Sequence, residues 1–388
     1  MLWRVSLVGW MMVAWLVWSP VAWAGHDLAV FGEIPLNQGL GIPLDRGNGM
    51  GHGIVYYQYT DQKNVGKGNQ LRVGLNTETL WLNWDIGATS RRSFVLSPYV
   101  KGQFGFAEMT PDYIRGGLHL QELSFLSMYA EAGLDWRWNV ASRFFVSGQV
   151  AFRYWFFFHS GESEQAGFIL PANSPGLRSS LTLSWEQMKT WVLRGRLREG
   201  FRAWATVSLR RRFTQRSWGG LRTATQDLRN AVFHSNPNVQ VMGGFDGSVR
   251  VHSRIAISLD ASAGTGWFAD DLFRFKIGGD NDYIPMLSGT YFAEFVVDSF
   301  FLAHLRFQFV PWMWWRISPQ VDLAWLPDPL RTGNQNESRW VVGIGLNLDF
   351  YIRDNMRIHV KVAYSPNAPR PEQDGGLKTM VGFVAYWW

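Results

Sequence analysis

The sequence predicts an all-β fold, a transmembrane antiparallel β-barrel of about 14–16 strands that follows a cleaved signal peptide. Three observations predict it. The N-terminus has the pattern of an export signal. Long stretches alternate apolar and polar residues, which is the period of a strand with one apolar face. The chain of 388 residues also carries 22 Trp, 27 Phe and 12 Tyr, a composition that suits a barrel with aromatic residues at both membrane interfaces.

Residues 1–24 are predicted to be the signal peptide. Arg4 supplies the basic start, residues 5–18 form the apolar core, and Ala22-Trp23-Ala24 is a small-x-small cleavage site before Gly25. A membrane anchor would need a longer apolar run than this one. No later window has eighteen uninterrupted apolar residues, so any membrane crossing must use strands in a closed barrel, where every backbone group is paired.

Residues 25–51 are rich in Gly and Pro and show no sustained period. We interpret them as an N-terminal tail or a small insert into the lumen. The outer-membrane β-barrel is then predicted to occupy residues 52–388, with a long loop at 264–298.

Fourteen segments of the barrel region have the period of a strand. They are 54–60, 71–88, 94–108, 126–138, 144–156, 177–188, 201–213, 239–245, 249–263, 301–310, 315–326, 340–352, 356–364 and 380–388. The count rises to sixteen if residues 272–298 hold a further hairpin. Connections alternate between short and long, and barrels of this kind keep their short turns in the periplasm. We therefore expect long segments such as 159–176 and 214–238 to be extracellular.

The last fifty residues show the pattern most clearly. From Trp340 to Ile352 every second residue is apolar, and after Asp354-Asn355 the alternation resumes, as in a β-hairpin. The chain ends in an apolar strand with terminal aromatic residues. We interpret this end as the C-terminal signal that the outer-membrane assembly machinery recognises during biogenesis; its residues are Phe383, Tyr386, Trp387 and Trp388.

Charge and composition limit the partners. The net charge of +6 suits contact with outer-membrane lipid and anionic lipopolysaccharide, and an exported barrel is not expected to bind nucleic acid. A basic cluster comprises Arg202, Arg210, Arg211 and Arg212. It favours an anion-attracting lumen or phosphate contacts at the outer rim; the alternative is a hydrated interior balanced by Glu131, Asp135 and Asp349.

No motif for a catalytic site, a cofactor or a metal is present, so we expect no enzyme and no cofactor. His234-Ser235-Asn236 is similar to the His-x-Ser-Asn arrangement of outer-membrane phospholipases and lipid A deacylases. Adjacent residues of a strand point to opposite faces, however, so this His could not activate this Ser. Asp270-Asp271 and Asp280-Asn281-Asp282 fit solvated loop tips better than a cation site.

Residues 251–326 contain a series of motifs in a fixed order. An alternating strand from Arg254 to Gly264 is followed by an aromatic run that ends at Gly278-Gly279, and then by Ser288-Gly289-Thr290-Tyr291. The series ends with Leu305-Arg306-Phe307 and Val321-Asp322-Leu323. This order resembles the barrel of the bacterial surface antigen superfamily, the family of BamA, TamA and two-partner secretion transporters. Ser288 stands where that family has an Arg.

The resemblance implies a barrel-only relative without POTRA modules, whose long loop folds back into the lumen. The lumen-loop motif would be Gly278, Gly279, Ser288, Gly289 and Tyr291. Because Ser288 replaces the Arg, we expect Arg274 or Lys276 to anchor the loop against Asp322. The alternative places this stretch in the wall as an extra hairpin.

The resemblance favours a monomeric integral outer-membrane protein of a Gram-negative bacterium, with a role in protein or lipid insertion or translocation. The alternative is a passive diffusion pore for small polar or anionic solutes. An outer-membrane hydrolase is the least favoured hypothesis.

Overall fold

The structure is a computed structural model. The described residues are 26–35, 52–61, 69–75, 79–87, 94–103, 114–115, 118–119, 125–159, 165, 168–191, 197–214, 218, 237–269, 273–278, 287–290, 295–329, 338–353, 356–369 and 376–387. The predicted signal peptide lies outside these ranges.

Alternating residues form twenty strands among the described residues. They are β1 (His26–Pro35), β2 (His52–Asp61), β3 (Gln70–Leu75), β4 (Thr79–Asp85), β5 (Phe94–Gln103), β6 (Ile114–Arg115), β7 (Leu118–His119), β8 (Phe125–Ala141), β9 (Phe144–His159), β10 (Ser174–Trp191), β11 (Leu197–Arg212), β12 (Asn238–His252), β13 (Ile255–Trp267), β14 (Phe275–Ile277), β15 (Phe295–Val297), β16 (Ser299–Phe309), β17 (Trp315–Pro327), β18 (Ser338–Arg353), β19 (Met356–Ser365) and β20 (Gly376–Trp387).

Sixteen of these strands form one closed antiparallel barrel, and the pairs β6–β7 and β14–β15 are separate two-stranded sheets. The barrel closes where β1 pairs with β20, from Leu28 opposite Trp387 to Pro35 opposite Met380. Closure leaves the wall no edge strand, and a strand edge cannot be exposed to lipid. The predicted fold class is confirmed.

The wall has sixteen strands, the upper end of the predicted range, but the two strands beyond fourteen are not the ones that were predicted. The tail or insert predicted at residues 25–51 is wrong for residues 26–35, which form β1 in the wall. The segment 71–88 divides into β3 and β4. The extra hairpin exists as β14–β15, but it does not belong to the wall. Glycine weakens local strand propensity, and β1 is held by pairing with β2 and β20 rather than by its own composition.

One turn was predicted too early. The gap between the predicted strands 239–245 and 249–263 implied a turn at 246–248, but these residues lie inside β12, where Gly247 pairs with Leu259 and Ser248 with Ser258. The chain reverses instead between β12 and β13, after His252. Glycine and serine are common in turns but also occur inside strands, and their presence at positions 247 and 248 therefore led to a turn being predicted there.

The two faces of the wall differ as the alternation predicts. On β18, Ile344 and Leu346 are exposed on the outer face, and Val341 and Asp349 are buried on the inner face. The outer face is apolar on other strands as well, with Phe152 on β9 and Leu183 on β10 among its exposed side chains. An exposed apolar exterior around a closed wall is the surface that lipid covers. No helix in the described part of the chain is long and apolar enough to cross a membrane.

From β8 onwards, the connections at one end of the barrel are short and those at the other end are longer. Only a few residues separate β8 from β9, β12 from β13, β16 from β17 and β18 from β19. The connections that follow β5, β9, β11 and β13 are much longer. We call these the short-turn end and the long-loop end. Exposed tryptophans occur at both, with Trp312 at the first and Trp340 at the second.

Candidate functional site: an internal loop docked on the barrel wall

The longest connection within the C-terminal half joins β13 to β16, and we call residues 268–298 the internal loop. Its hairpin β14–β15 pairs Phe275 with Val297. The base of the hairpin is fastened to the wall, since Gly266 N–H donates to the Asp298 carbonyl oxygen at 2.8 Å. The ring of Phe275 packs edge-on against Phe300 of β16, with centroids 4.9 Å apart. The hairpin therefore begins against the inner face of the wall.

An apolar cluster holds the loop inside the barrel. The loop contributes Ile277, Leu287, Phe295 and Val297, and the wall side contributes Phe300, Leu302, Ala324, Leu326, Val341 and Ala368. All of these residues are buried. Fully burying a large apolar side chain stabilises a fold by about 1.5–3 kcal/mol. The loop is thus packed in the lumen rather than extended into solvent.

The tip of the loop is a tight turn, Leu287–Thr290, which we call the docked turn. Thr290 N–H and Thr290 Oγ1 both donate to the Leu287 carbonyl oxygen, at 3.4 and 2.7 Å. Gly289 has φ of 77°, a left-handed conformation that favours glycine. All four residues of the turn are buried.

Asp322 of β17 is the group to which the docked turn binds. Its Oδ2 accepts a hydrogen bond from Ser288 N–H at 2.8 Å. Its Oδ1 is bonded to Nδ1 of His304 at 2.9 Å and accepts from Nε2 of Gln320 at 2.7 Å. Gln320 Nε2 also lies 3.3 Å from Ser288 Oγ. A fully buried carboxylate must be hydrogen-bonded, and here the loop backbone supplies one of the donors.

Small residues on β18 and the backbone of β19 let the turn approach the wall closely. A Cβ on Gly343 would lie 2.5 Å from the Ser288 carbonyl oxygen, and a Cβ on Gly345 would lie 3.1 Å from Ser288 Oγ. A Cβ on Gly289 would clash with the backbone nitrogen of Ser365. The docked turn can therefore lie this close to the wall because glycine occupies both contact surfaces, Gly289 in the turn and Gly343 and Gly345 in β18.

The start of the loop binds a different part of the wall. The Phe273 carbonyl oxygen accepts a hydrogen bond from Gln240 Nε2 on β12. The Phe273 ring lies 6.4 Å from that of Trp155 on β9, and the guanidinium groups of Arg210 and Arg212 on β11 lie 5.8 and 5.9 Å from its centre. Cations at this distance from an aromatic ring are attracted to its face. The loop thus reaches from β9, β11 and β12 to β17, β18 and β19 and crosses the lumen.

The predicted side-chain anchors are wrong. Arg274 forms an ion pair with Asp298 at 2.9 Å, within the loop itself. Lys276 has Arg210 as its charged neighbour, and so lies on the β11 side of the lumen rather than beside Asp322. Asp322 is instead occupied by a backbone N–H of Ser288 and by two wall side chains. A backbone donor serves here because the turn approaches too closely for a long side chain.

The other residues of the predicted lumen-loop motif have separate outcomes. Ser288 and Gly289 lie in the docked turn, and Gly278 is buried at the end of β14 with φ of 119°. Gly279 and Tyr291 lie outside the described residues, as do His234-Ser235-Asn236 and the acidic pairs near residues 270 and 280.

The basic cluster is divided between the two faces of β11. On the inner face, Arg210 is partly buried and Arg212 is buried. Arg202 is exposed on the same face, nearer the short-turn end. Arg211 is exposed and pairs with the exposed Leu177 on the outer face. Two of the acids expected to balance the cluster bind other cations: Glu131 bonds to Arg153 and Asp349 to Arg316.

The predicted C-terminal assembly signal is only partly described. Phe383, Tyr386 and Trp387 are in β20, and Trp388 lies beyond the described residues.

Sequence reasoning missed His304, Gln320 and the glycines of β18 as parts of the dock. A usable pattern was present, because Leu302, Ala324 and Leu326 are apolar at positions whose alternation faces the lumen. Apolar residues on an otherwise polar face indicate that another element covers them.

Comparisons with known proteins place the fold. No protein-family model matches the chain, and no curated protein matches it in sequence. Among solved structures it is similar to BamA from Haemophilus ducreyi lacking POTRA domains 1–3, with a TM-score of 0.60 and 11% identity over 94% of this chain and 70% of that one.

CdiB from Acinetobacter baumannii is similar too, with a TM-score of 0.57 and 11% identity over 94% of this chain. The chain spans 60% of the length of CdiB. At these identities the likeness concerns the fold, and it confirms at that level the resemblance seen in the motifs. The chain is an outer-membrane β-barrel with the barrel fold that BamA and CdiB share.

Proposed function

We propose that this protein acts in the insertion or translocation of protein or lipid at the outer membrane, and that the internal loop controls that activity. The observation that carries the proposal is the docked turn, in which Ser288 and Asp322 join the loop to the wall inside a closed barrel. The loop is held by a few directional bonds and one apolar cluster, and breaking them would give a second, undocked arrangement, as a control element requires.

The main alternative, a passive diffusion pore, agrees less well with a loop docked in the lumen. A passive pore needs an open lumen, whereas here an apolar cluster with buried Leu and Phe side chains occupies part of it. The observation that favours a pore is the polar inner face nearer the short-turn end, where Ser97, Ser147 and Thr182 line a recess. A pore would conduct steadily, and a controlled barrel would fluctuate as its loop docks and undocks.

The first test uses the purified barrel in liposomes. A urea-unfolded eight-stranded outer-membrane barrel serves as the client, and its insertion is followed by heat-modifiable migration on gels. We expect the wild-type protein to accelerate insertion relative to protein-free liposomes. Equal rates with and without the protein would contradict the insertion activity.

The second test removes residues 278–291 and records single-channel conductance in planar bilayers. Without the docked turn the loop no longer crosses the lumen. We therefore expect a larger and steadier conductance together with lost client insertion. An intact barrel with unchanged conductance would show that the loop does not obstruct the lumen, and would defeat the proposed control.

The closure of the wall offers a third test, because under this proposal client strands would leave the lumen between β1 and β20, where the first and last strands of the wall meet. Val30 and Ala385 are directly opposite there, at a separation that a disulfide spans. The chain has no native Cys, so a Val30→Cys, Ala385→Cys variant carries one defined pair. We expect oxidation to block client insertion and reductant to restore it. The matched control joins β9 to β10 through Val150→Cys and Ser179→Cys, where oxidation should change nothing.

The setting of the barrel follows from the same proposal. Exposed tryptophans such as Trp312 and Trp340 would lie at the two membrane interfaces, and Arg211 on the outer face at the long-loop end would meet lipopolysaccharide phosphates. The aromatic end of β20 would be recognised by the assembly machinery during biogenesis. The barrel would act as a monomer.

A further inference from the structure

Several positive charges meet inside the barrel where the internal loop crosses β10 and β11. Arg178 of β10 and Arg210 of β11 are directly opposite each other in the register and point into the lumen. Residues that face each other across antiparallel strands have Cβ atoms about 4.5–5.5 Å apart, and like charges in such positions repel. The register of the wall therefore places two arginines at neighbouring positions on the lumen face, where their charges repel each other.

Glu131 and Asp135 attract Arg178, and Glu131 attracts Arg210, but the Nε groups of both arginines lack a hydrogen-bond acceptor within the described residues. Nε of Arg178 and Nε of Arg210 are both shielded from solvent, and neither has an acceptor there. The described contact of the Arg210 guanidinium is with the Phe273 ring, a weak partner for a shielded cation. Shielded N–H groups without acceptors cost free energy comparable to lost hydrogen bonds.

The internal loop contributes a third cation, the Lys276 ammonium. Lys276 of β14 is partly buried and follows Phe273 by three residues, and the Phe273 ring lies 5.8 Å from the Arg210 guanidinium. Burial and, to a lesser degree, the Arg210 charge lower the pKa of the Lys276 ammonium to about 8. No described carboxylate acts on Lys276. A lysine in this position lacks the anionic partner that buried cations require.

The acids of this region are already engaged. Glu131 accepts hydrogen bonds from Tyr99 Oη at 2.7 Å and from Arg153 Nε. Asp298 of the loop pairs with Arg274 at 2.9 Å. Asp135 lies near Arg178 as well, so Glu131 and Asp135 supply two negative charges here. Arg153, Arg178, Arg210 and Lys276 supply four positive charges, and positive charge therefore remains in excess.

We propose that Arg178, Arg210 and Lys276 form a binding site for an oxyanion, a phosphate or a carboxylate group, that bridges the barrel wall and the internal loop. Guanidinium groups match the oxygens of such groups in pairs, and an ammonium adds a point charge. Because two of the cations belong to the wall and one to the loop, a bound anion joins loop to wall at a place separate from the Ser288–Asp322 bond. The anion would therefore stabilise the docked loop.

The test measures binding of inorganic phosphate to the folded, detergent-solubilised barrel by isothermal titration calorimetry. We expect one site per barrel in the wild-type protein. Arg210→Gln and Lys276→Gln should each weaken binding by about tenfold or more, the loss expected for a hydrogen bond to a charged group. Arg143→Gln removes the same charge at the exposed turn between β8 and β9, and should bind as the wild type does.

Two further arms identify the source of the phosphate group. A sugar monophosphate tests a soluble ligand, and lipid A in micelles tests a lipid headgroup, each compared between the wild type and Lys276→Gln. Binding of either that depends on Lys276 supports the site and assigns its ligand. If Arg210→Gln fails to form a heat-modifiable barrel, Arg210→Lys takes its place, since it keeps the charge but loses the paired donors and should bind less tightly.

A final readout connects the anion to the loop. Phosphate should slow chymotryptic cleavage within the internal loop, at sites such as Tyr283 and Tyr291, in the wild-type barrel but not in Lys276→Gln, which keeps those sites. Absence of phosphate, sugar-phosphate and lipid A binding in the wild type, or equal affinity in Arg210→Gln, Lys276→Gln and Arg143→Gln, would overturn the site. These measurements need no client protein, so their outcome is independent of whether the barrel inserts or translocates anything.

Discussion

The backbone N–H of Ser288, on a loop inside the lumen, donates a hydrogen bond of 2.8 Å to Oδ2 of Asp322 on the barrel wall. Both residues are fully buried. The bond joins the tip of a long connection to β17, the strand that pairs with the one into which the connection leads, and it therefore fixes where the tip lies in the barrel. Four predictions concern this dock, the faces of the wall and its last strand, and a fifth concerns topology.

Asp322→Asn should undock the loop. Three donor groups meet the two carboxylate oxygens, and an amide offers one oxygen and one NH2, so a donor faces another donor in either orientation. An unsatisfied buried donor costs about 1–3 kcal/mol, which raises the undocked population by about 5- to 150-fold. Chymotrypsin has sites on both sides of the docked turn, at Tyr283 and Tyr291, so chymotryptic cleavage of the loop in the folded barrel should accelerate accordingly. Asp349→Asn, the same change beside Arg316, is the control and should leave the cleavage rate unchanged.

Gly343→Ala should undock the loop more than Gly345→Ala does. The first added methyl lies 2.5 Å from a backbone oxygen of Ser288, which cannot move without the turn, and the second lies 3.1 Å from the Oγ of that residue, which can rotate. Planar-bilayer recordings should show more frequent conductance fluctuations for Gly343→Ala. Identical recordings from the two variants would mean that the turn is not held against β18.

Leu346→Arg and Asn347→Arg should differ although the two positions are adjacent. Leu346 is exposed on the outer face, where arginine costs about 2–4 kcal/mol at the middle of the bilayer. Asn347 faces the lumen, with Nδ2 at 3.4 Å from the Ser318 carbonyl oxygen, so a charge there stays hydrated. Urea unfolding in lipid vesicles gives the two free energies of unfolding. Equal losses would show that the faces are assigned incorrectly.

Deleting Trp387 and Trp388 should prevent insertion into the outer membrane. Trp387 is the last residue of β20 and pairs with Leu28 of β1, so the deletion shortens the closure of the barrel as well as removing terminal aromatic residues. The amount of heat-modifiable barrel in outer-membrane fractions measures the effect. Normal amounts after the deletion would rule out a role for these residues in assembly.

The long-loop end should face the outside of the cell, because outer-membrane barrels keep their short turns in the periplasm. Cysteine at Ser163 or Thr225, in a chain without native Cys, should react with a membrane-impermeant thiol reagent on intact cells. Cysteine in place of Ser253, at the turn between β12 and β13, should react only after the outer membrane is permeabilised. The reverse pattern would invert the topology.

The sequence by itself determined the fold class and the facing of most strands. Alternation is a local property, and a strand such as β18 has the same period whether or not its neighbours are known. The outward position of Leu346 and the inward position of Asp349 followed directly from it. The motifs between residues 251 and 326 also indicated that a loop would fold into the lumen.

Only the tertiary structure decided which residues meet across the barrel. The pairing of Leu28 with Trp387 joins the two ends of the wall, and no local pattern in residues 26–35 predicts that partner. Asp322 was recognised as an anchor point, but its partner is the Ser288 backbone N–H, a donor that every residue except proline carries. Lys276, expected at Asp322, lies instead beside Arg210 of β11. Strand periodicity specifies the face on which a side chain lies. The path of a loop through the lumen depends instead on packing among Leu287, Leu302 and Leu326. These residues are on separate segments of the chain, and only the closed wall brings them together.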